Sequence, residues 1–320
     1  MNSKPIIIVA GNPRSIFFEI FFKSIKKLRI KSPIILICCK REIEQFIKKN
    51  SIMINLNYIE KEEIFKNIHL KKINLLNVNL RNSKNRNLMK KNTKHYLSKC
   101  FGHAFDLINN KISNKLINGP INKKSFLNGK YPGITEYISK RFNIKETGML
   151  IFNKTLSVSP LTTHIPLKNV AKKINLKLVV NKIKLLDKFF KNVLKIKPKM
   201  AIAGINPHCE SFSKYNEDEK ILKIAVNYLK KNNIKIYGPY PADTLFLKAN
   251  RQKYNVIIGT YHDQVLTPIK TLHEYDAINI TMGLPFLRVS PDHGPNEKMI
   301  GKNKSNPLSL IRSIEFLDNR

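Results

Sequence analysis

Three histidines each follow a short apolar run: Leu161-Thr-Thr-His164-Ile-Pro, Gly204-Ile-Asn-Pro-His208 and Ile257-Ile-Gly-Thr-Tyr-His262-Asp263-Gln264. Three neutral imidazoles converging on one crevice would hold a catalytic divalent metal with coordination positions left open. A single histidine in such a place is more often a loop residue making an ordinary hydrogen bond, so the repetition carries the metal reading. Asp263, directly after His262, is a candidate acceptor behind that ring or a candidate acid/base; as a bland alternative it caps a turn. Lys270, Asn279 and Arg288 follow. Brought near a metal they would form a receptor for an anionic substrate, with arginine gripping a phosphate or carboxylate through two hydrogen bonds and lysine supplying a point charge. Asp292-His293-Gly294 closes the block, and His293 reads as structural.

Such residues need elements to position them. The stretches 156–161, 200–205 and 256–260 read as buried parallel strands, which would put each histidine at a carboxyl end, the edge where open α/β sheets bind ligands. Residues 6–10, 33–39, 53–59, 116–119 and 277–281 read as further strands. Helical spacing marks 14–27, 42–49, 95–109, 169–193, 217–231 and a last helix from about 306. Residues 148–152 and 155–161 suggest an antiparallel pair across Asn153-Lys154, and the polar, lysine-rich 82–93 reads as a surface loop. Alternating strands and helices predict a two-domain α/β architecture with mostly parallel sheets. The expected division is 1–125 plus 296–320 for the first domain and 126–295 for the second, the latter carrying most of the metal and substrate residues.

With 320 residues and 42% hydrophobic content the chain can bury a large core. Its net charge of +36 invites a nucleic-acid partner. Lysine outnumbers arginine 48 to 10 and is scattered through every segment, often beside Asn and Ile, which points to an A/T-rich coding sequence. No specific nucleic-acid partner is therefore expected. Cys38, Cys39, Cys100 and Cys209 show no C-x-x-C spacing; Cys209 could approach a metal at His208, though a filler role is the simpler reading. No long apolar span appears and the N-terminal run leads into Gly11-Asn-Pro, so a cytoplasmic protein without membrane attachment is expected. Neither G-x-G-x-x-G nor a Walker-type phosphate loop is present.

Taken in order, Asn118-Gly-Pro-Ile-Asn-Lys123, Pro132-Gly-Ile-Thr135-Glu136, Thr163-His164-Ile-Pro-Leu, Gly204-Ile-Asn-Pro-His208, Gly238-Pro-Tyr-Pro-Ala-Asp243-Thr-Leu-Phe246, Tyr261-His-Asp-Gln264 and Asn279-Ile-Thr-Met-Gly-Leu-Pro-Phe-Leu-Arg288 closely resemble the 4-hydroxythreonine-4-phosphate dehydrogenase family of pyridoxal 5′-phosphate biosynthesis. The resemblance spans nearly the whole chain. It implies the α/β/α fold of isocitrate and isopropylmalate dehydrogenases and a homodimer with a shared active site between domains. It assigns the metal (Zn²⁺, Mg²⁺ or Co²⁺) to His164, His208 and the partner subunit's His262, and the substrate contacts to Thr135, Lys270, Asn279 and Arg288. Lys270 or Asp263 would relay a proton. The implied reaction is NAD- or NADP-dependent oxidation of 4-phosphohydroxy-L-threonine, whose 3-keto product loses CO₂.

The chain also departs from that pattern. Ile134 stands where a histidine is usual. The N-terminal loop, usually like G-D/E-P-A-G-I-G-P-E, reads Gly11-Asn-Pro-Arg-Ser-Ile-Phe-Phe-Glu19; the stretch 209–214 has lost its glycines, and Pro295 replaces a threonine. Erosion of peripheral contacts with the metal and anion core retained is the expectation. The rival readings are a dehydrogenase of another phosphorylated four-carbon acid, a polyanion-binding protein and an inactive paralogue.

Overall fold

Two units of the chain, Met1–Tyr137 with Pro285–Arg320 and Ile138–Leu284, each fold around a sheet of their own strands. The computed structural model describes residues 3–61, 67–211, 215–292 and 294–320; His293 and part of the altered stretch 209–214 lie outside the described residues. The chain enters the first unit with β1 (Ile6–Val9), β2 (Ile34–Cys38), β3 (Leu56–Ile59), β4 (Ile73–Asn77) and β5 (Lys115–Asn118). The second unit holds β6 (Gly148–Phe152), β7 (Ser157–Pro160), β8 (Met200–Ala203), β9 (Ile236–Tyr240), β10 (Val256–Gly259) and β11 (Ile278–Met282). β12 (Leu287–Pro291) returns to the first unit.

In the first unit the strands stand in the order β3-β4-β2-β1-β5-β12, parallel throughout. The continuous apolar runs of β1 and β2 are buried residue by residue, as expected of parallel strands covered on both faces. Two loops at the carboxyl edge meet backbone to backbone. A Cβ added to Gly11, whose φ is +85°, would fall 2.3 Å from the Pro120 carbonyl oxygen, and one on Gly119 2.3 Å from that of Ala10. Glycine at both positions permits the approach. It is fastened by hydrogen bonds from Asn12 N to Pro120 O and from Gly119 N to Val9 O.

The second unit's order is β11-β6-β7-β10-β8-β9. The hairpin β6–β7 is antiparallel across Asn153-Lys154, as its sequence suggests, and β7, β10, β8 and β9 run parallel. Val158, Ala201 and Ile257 from three of these strands pack with Val265 and Ile269 of the helix His262–His273. That packing anchors the helix that begins at the third histidine.

Some expectations need correction. Residues 82–93 are not wholly loop: the helix Arg86–Asn109 starts there, with Asn85 accepting from the N–H groups of Asn87 and Leu88. Its first two turns are solvent-facing and carry no apolar stripe; burial begins at Tyr96. Strands β4, β9 and β12 were not expected. The units divide at 137/138 and 284/285, against 125/126 and 295/296 from sequence, so Thr135 and Arg288 belong to the first unit.

Candidate functional site

Strands β7, β10 and β8 are neighbours in the second unit, and His164, His262 and His208 follow their carboxyl ends in that spatial order. His164 and His208 are exposed, and both hold left-handed backbone conformations, φ 52° and 56°. Cys209, at φ 62°, continues the strained turn. Such conformations cost a non-glycine residue roughly 1 kcal/mol or more and persist where surrounding structure enforces them.

The enforcement is visible. Gln264 Nε2 donates to the Gly204 carbonyl (2.6 Å), while its Oε1 accepts from Thr260 N (2.7 Å) and Thr260 Oγ1 (3.0 Å). Thr162 Oγ1 donates to the Thr260 carbonyl (2.8 Å). One amide side chain and one hydroxyl thus tie together the ends of β7, β10 and β8. Behind His208, the fully buried Asp218 accepts from Ile205 N, Asn206 N and Asn206 Nδ2 at 2.8–3.0 Å. Gly204 fits against this carboxylate; a Cβ there would lie 2.6 Å from Cys209 Sγ and 2.9 Å from Asp218 Oδ1. Burial, with help from Asp218, pushes the Cys209 thiol up to about 11, so it is a neutral filler at neutral pH.

The rings of His164 and His262 have centroids 6.0 Å apart with planes tilted 35°. Asp263 Oδ1 lies 2.7 Å from His262 Nδ1. A carboxylate accepting from that nitrogen leaves Nε2 as the ring's electron-pair donor. Among the described residues no group of three His, Cys, Asp or Glu side chains is arranged to hold a metal ion within one chain. Lys270 sits eight residues beyond His262 on the same helix, about 12 Å along its axis. It is half-buried, and burial holds its pKa below the ordinary lysine value. Asn279 is on β11, opposite Ile151 of β6.

In the first unit Arg288 is 3% exposed. Its Nε and Nη2 donate to Asn118 Oδ1 at 2.9 and 2.6 Å, and Nη1 donates to Thr135 Oγ1 at 3.3 Å. Burial lowers its pKa to about 10 and the neighbouring Glu136 carboxylate opposes that fall, so the guanidinium remains charged at neutral pH. Two expected substrate contacts, Thr135 and Arg288, therefore touch. Ile134, the residue in the usual histidine's place, is buried at the start of the helix Ile134–Arg141.

Residues 29–317 match the family model described as pyridoxal phosphate biosynthetic protein PdxA. The chain belongs to the PdxA family. Among curated PdxA relatives, 4-hydroxythreonine-4-phosphate dehydrogenase of Sulfurihydrogenibium sp. is 33% identical over 317 residues, covering 97% of this chain and 96% of that protein. D-threonate 4-phosphate dehydrogenase of Salmonella typhimurium is 29% identical, covering 99% and 98%. A crystal structure of 4-hydroxythreonine-4-phosphate dehydrogenase from Klebsiella pneumoniae superposes with a TM-score of 0.84 at 27% identity, covering 98% of this chain and 97% of that one. Isocitrate dehydrogenase from Methylococcus capsulatus, at 10% identity and a TM-score of 0.50, shares the fold alone, covering 98% and 84%. Family and fold class are those expected from the motifs.

Sequence reading missed Gln264, Thr162, Asp218 and Asn118 as positioning groups. Gln264 and Asn118 lie inside motifs, but their partners are 60 and 170 residues away in the chain. An acid at the start of a helical pattern was the one available sign for Asp218, and it reads equally as a helix-dipole residue.

Proposed function

We propose that this chain is a divalent-metal-dependent, NAD(P)-linked dehydrogenase acting on 4-phosphohydroxy-L-threonine. It oxidises the C3 hydroxyl to give 2-amino-3-oxo-4-phosphooxybutanoate, which loses CO₂ to yield 3-amino-2-oxopropyl phosphate for pyridoxal 5′-phosphate synthesis. The observation that carries the reading is the set of three histidines at the carboxyl ends of three adjacent parallel strands in a PdxA chain.

His164, His208 and His262 would hold the metal, with Zn²⁺, Mg²⁺ and Co²⁺ as candidates. The donor chemistry fits: neutral imidazoles are common ligands of such ions, His164 and His208 stand on exposed turns, and Asp263 at 2.7 Å from His262 Nδ1 leaves that ring's Nε2 as its donor. A bound divalent cation supplies Lewis acidity to the C3 hydroxyl and its developing negative charge. Asp263 holds the His262 ring in one tautomer and orientation. Thr135, Lys270, Asn279 and Arg288 would be the substrate contacts, as the resemblance assigns them, and a cationic side chain among them suits a phosphate. Lys270 or Asp263 moves the hydroxyl proton. The functional unit is a homodimer in which His164 and His208 of one chain are joined by the second chain's His262.

The test is near-ultraviolet absorbance of the reduced nicotinamide, with substrate and each metal in turn, beside a His208→Ala variant. Metal-dependent turnover that falls roughly 10²–10³-fold or more in the variant is expected. Equal turnover by the variant, or turnover indifferent to chelation, would contradict the reading.

A second reading has its own support: a D-threonate 4-phosphate dehydrogenase of Pectobacterium atrosepticum is 36% identical over 200 residues, and Ile134 replaces a polar contact of the usual pattern. The two substrates differ at C2, amino against hydroxyl. A kcat/KM higher for the aminated substrate favours the main reading, and the reverse ratio the second.

A further inference from the structure

The first unit holds a feature that neither the histidines nor Arg288 use. β2 lies on one side of β1 and β5 on the other, so the strand order reverses at β1. In open parallel sheets the crevice outside such a reversal is where ligands bind. A cavity of about 630 Å³ opens there, walled by residues that follow β1, β2, β4, β5 and β12, all carboxyl ends, together with the first turns of the helix Arg86–Asn109. That volume lies in the range of small-molecule and cofactor sites.

Its wall is selectively cationic. Arg14, Arg81, Lys84, Arg86 and Lys90 line it, against the carboxylates Glu42 and Glu297. Glu42 is ion-paired with Arg41 at 3.5 Å. In a chain with 48 lysines and 10 arginines, five cations would include about one arginine by composition; three are found. Lysine is the default cation of this sequence, so arginine marks positions where a planar, two-pronged donor matters, and phosphate is its usual partner. Arg14 belongs to the altered N-terminal loop, where the resembling pattern has a small residue.

We propose that this cavity seats the adenosine end of the dinucleotide and that its arginines select the 2′-phosphorylated form, NADP over NAD. The proposal rests on the dehydrogenase reading above for the identity of the ligand. An arginine near the adenosine ribose is the usual accommodation for a 2′-phosphate, whereas an unopposed carboxylate favours the free 2′-hydroxyl.

The full-length protein is titrated calorimetrically with adenosine 2′,5′-bisphosphate, adenosine 5′-phosphate and pyrophosphate at roughly physiological salt. The bisphosphate is expected to bind at least tenfold more tightly than either of the others. Arg14→Ala and Arg81→Ala, both at exposed positions, should each remove about five- to tenfold of that preference while changing adenosine 5′-phosphate binding less than twofold. Arg81→Lys should restore part of it. Equal affinity for the two adenosine phosphates, pyrophosphate binding as tight as the bisphosphate, or a preference untouched by both arginine variants overturns the inference. Turnover separates the two levels of argument. Metal-dependent turnover without the binding preference removes this proposal and leaves the dehydrogenase; the preference without turnover on either four-carbon substrate removes the dehydrogenase and leaves a 2′-phosphoadenosine site.

Discussion

In the first unit Arg288 is sealed from solvent and locked by Asn118 and Thr135, whereas in the second His164 and His208 project from exposed turns held at positive φ. Three of its N–H groups donate inside its own unit, which fixes the direction of the guanidinium. The turns that carry the histidines are held from behind by Gln264, Thr162 and Asp218. The contrast matches the chemistry proposed for each. A buried guanidinium without partners would be costly, so it must be satisfied on folding. A metal ligand must instead keep an electron pair available, and the backbone strain that aims it is tolerated because a network behind it enforces the turn.

Substitutions should separate the two regions by what they damage. The largest effect on folding is expected at Arg288. Arg288→Met strands the Glu136 charge and the Asn118 acceptor, and should lower unfolding free energy by about 3–5 kcal/mol in denaturant titrations, along with activity. His208→Ala should lose metal-dependent turnover while leaving that titration within about 0.5 kcal/mol of wild type, as for other surface changes. Equal destabilisation by both would erase the distinction.

Gln264→Leu is intermediate. It leaves the Gly204 carbonyl and the Thr260 N–H without their partner, a cost of roughly 1–3 kcal/mol. It should also weaken metal binding about 10–100-fold, measured by competition with a chelating dye. Gln264→Glu keeps the acceptor for Thr260 and loses the donor to Gly204, so it should recover part of both. Asp263→Asn, at an exposed side chain, should lower metal affinity about tenfold with no change in unfolding.

Lys270 gives a prediction in pH. Because burial depresses its pKa, it sheds its proton at a lower pH than an exposed lysine. KM for the phosphorylated substrate should therefore climb as pH rises toward 10.5, earlier than in Lys270→Arg, which stays charged. Identical profiles would remove Lys270 from phosphate binding. The smallest effect is at His164: His164→Gly relieves a left-handed backbone and should stabilise the unit by roughly 1 kcal/mol in thermal melts while abolishing its share of metal binding.

Much of the second unit's histidine edge was legible because β8 and β10 are uninterrupted apolar runs ending at polar loops, a pattern of parallel strands buried on both faces, whereas β7 carries Ser157 and Ser159 within its buried run. What was not legible is adjacency. β7 and β10 pair across about a hundred residues of sequence, and nothing in either run specifies the other. β12 was hidden by its own function, since Leu-Arg-Val-Ser-Pro places a charge inside a buried strand. The start of the helix Arg86–Asn109 was hidden by solvation, its first turns having no apolar face to betray the period. Motif resemblance supplied the expected roles of Thr135 and Arg288. It did not show that the two touch, nor that Asn118 is the residue holding the guanidinium.

The proposal that a second chain completes the histidine site is tested most directly by mixing two inactive proteins. His208→Ala and His262→Ala chains are unfolded together, refolded and assayed for metal-dependent reduction of the nicotinamide. If a second chain supplies His262, half of the dimers are mixed and each has one intact site, so about a quarter of wild-type activity should return. If each chain builds its metal site from its own three histidines, every site in the mixture is broken; absence of recovery, with dimers confirmed by sedimentation, would contradict the account.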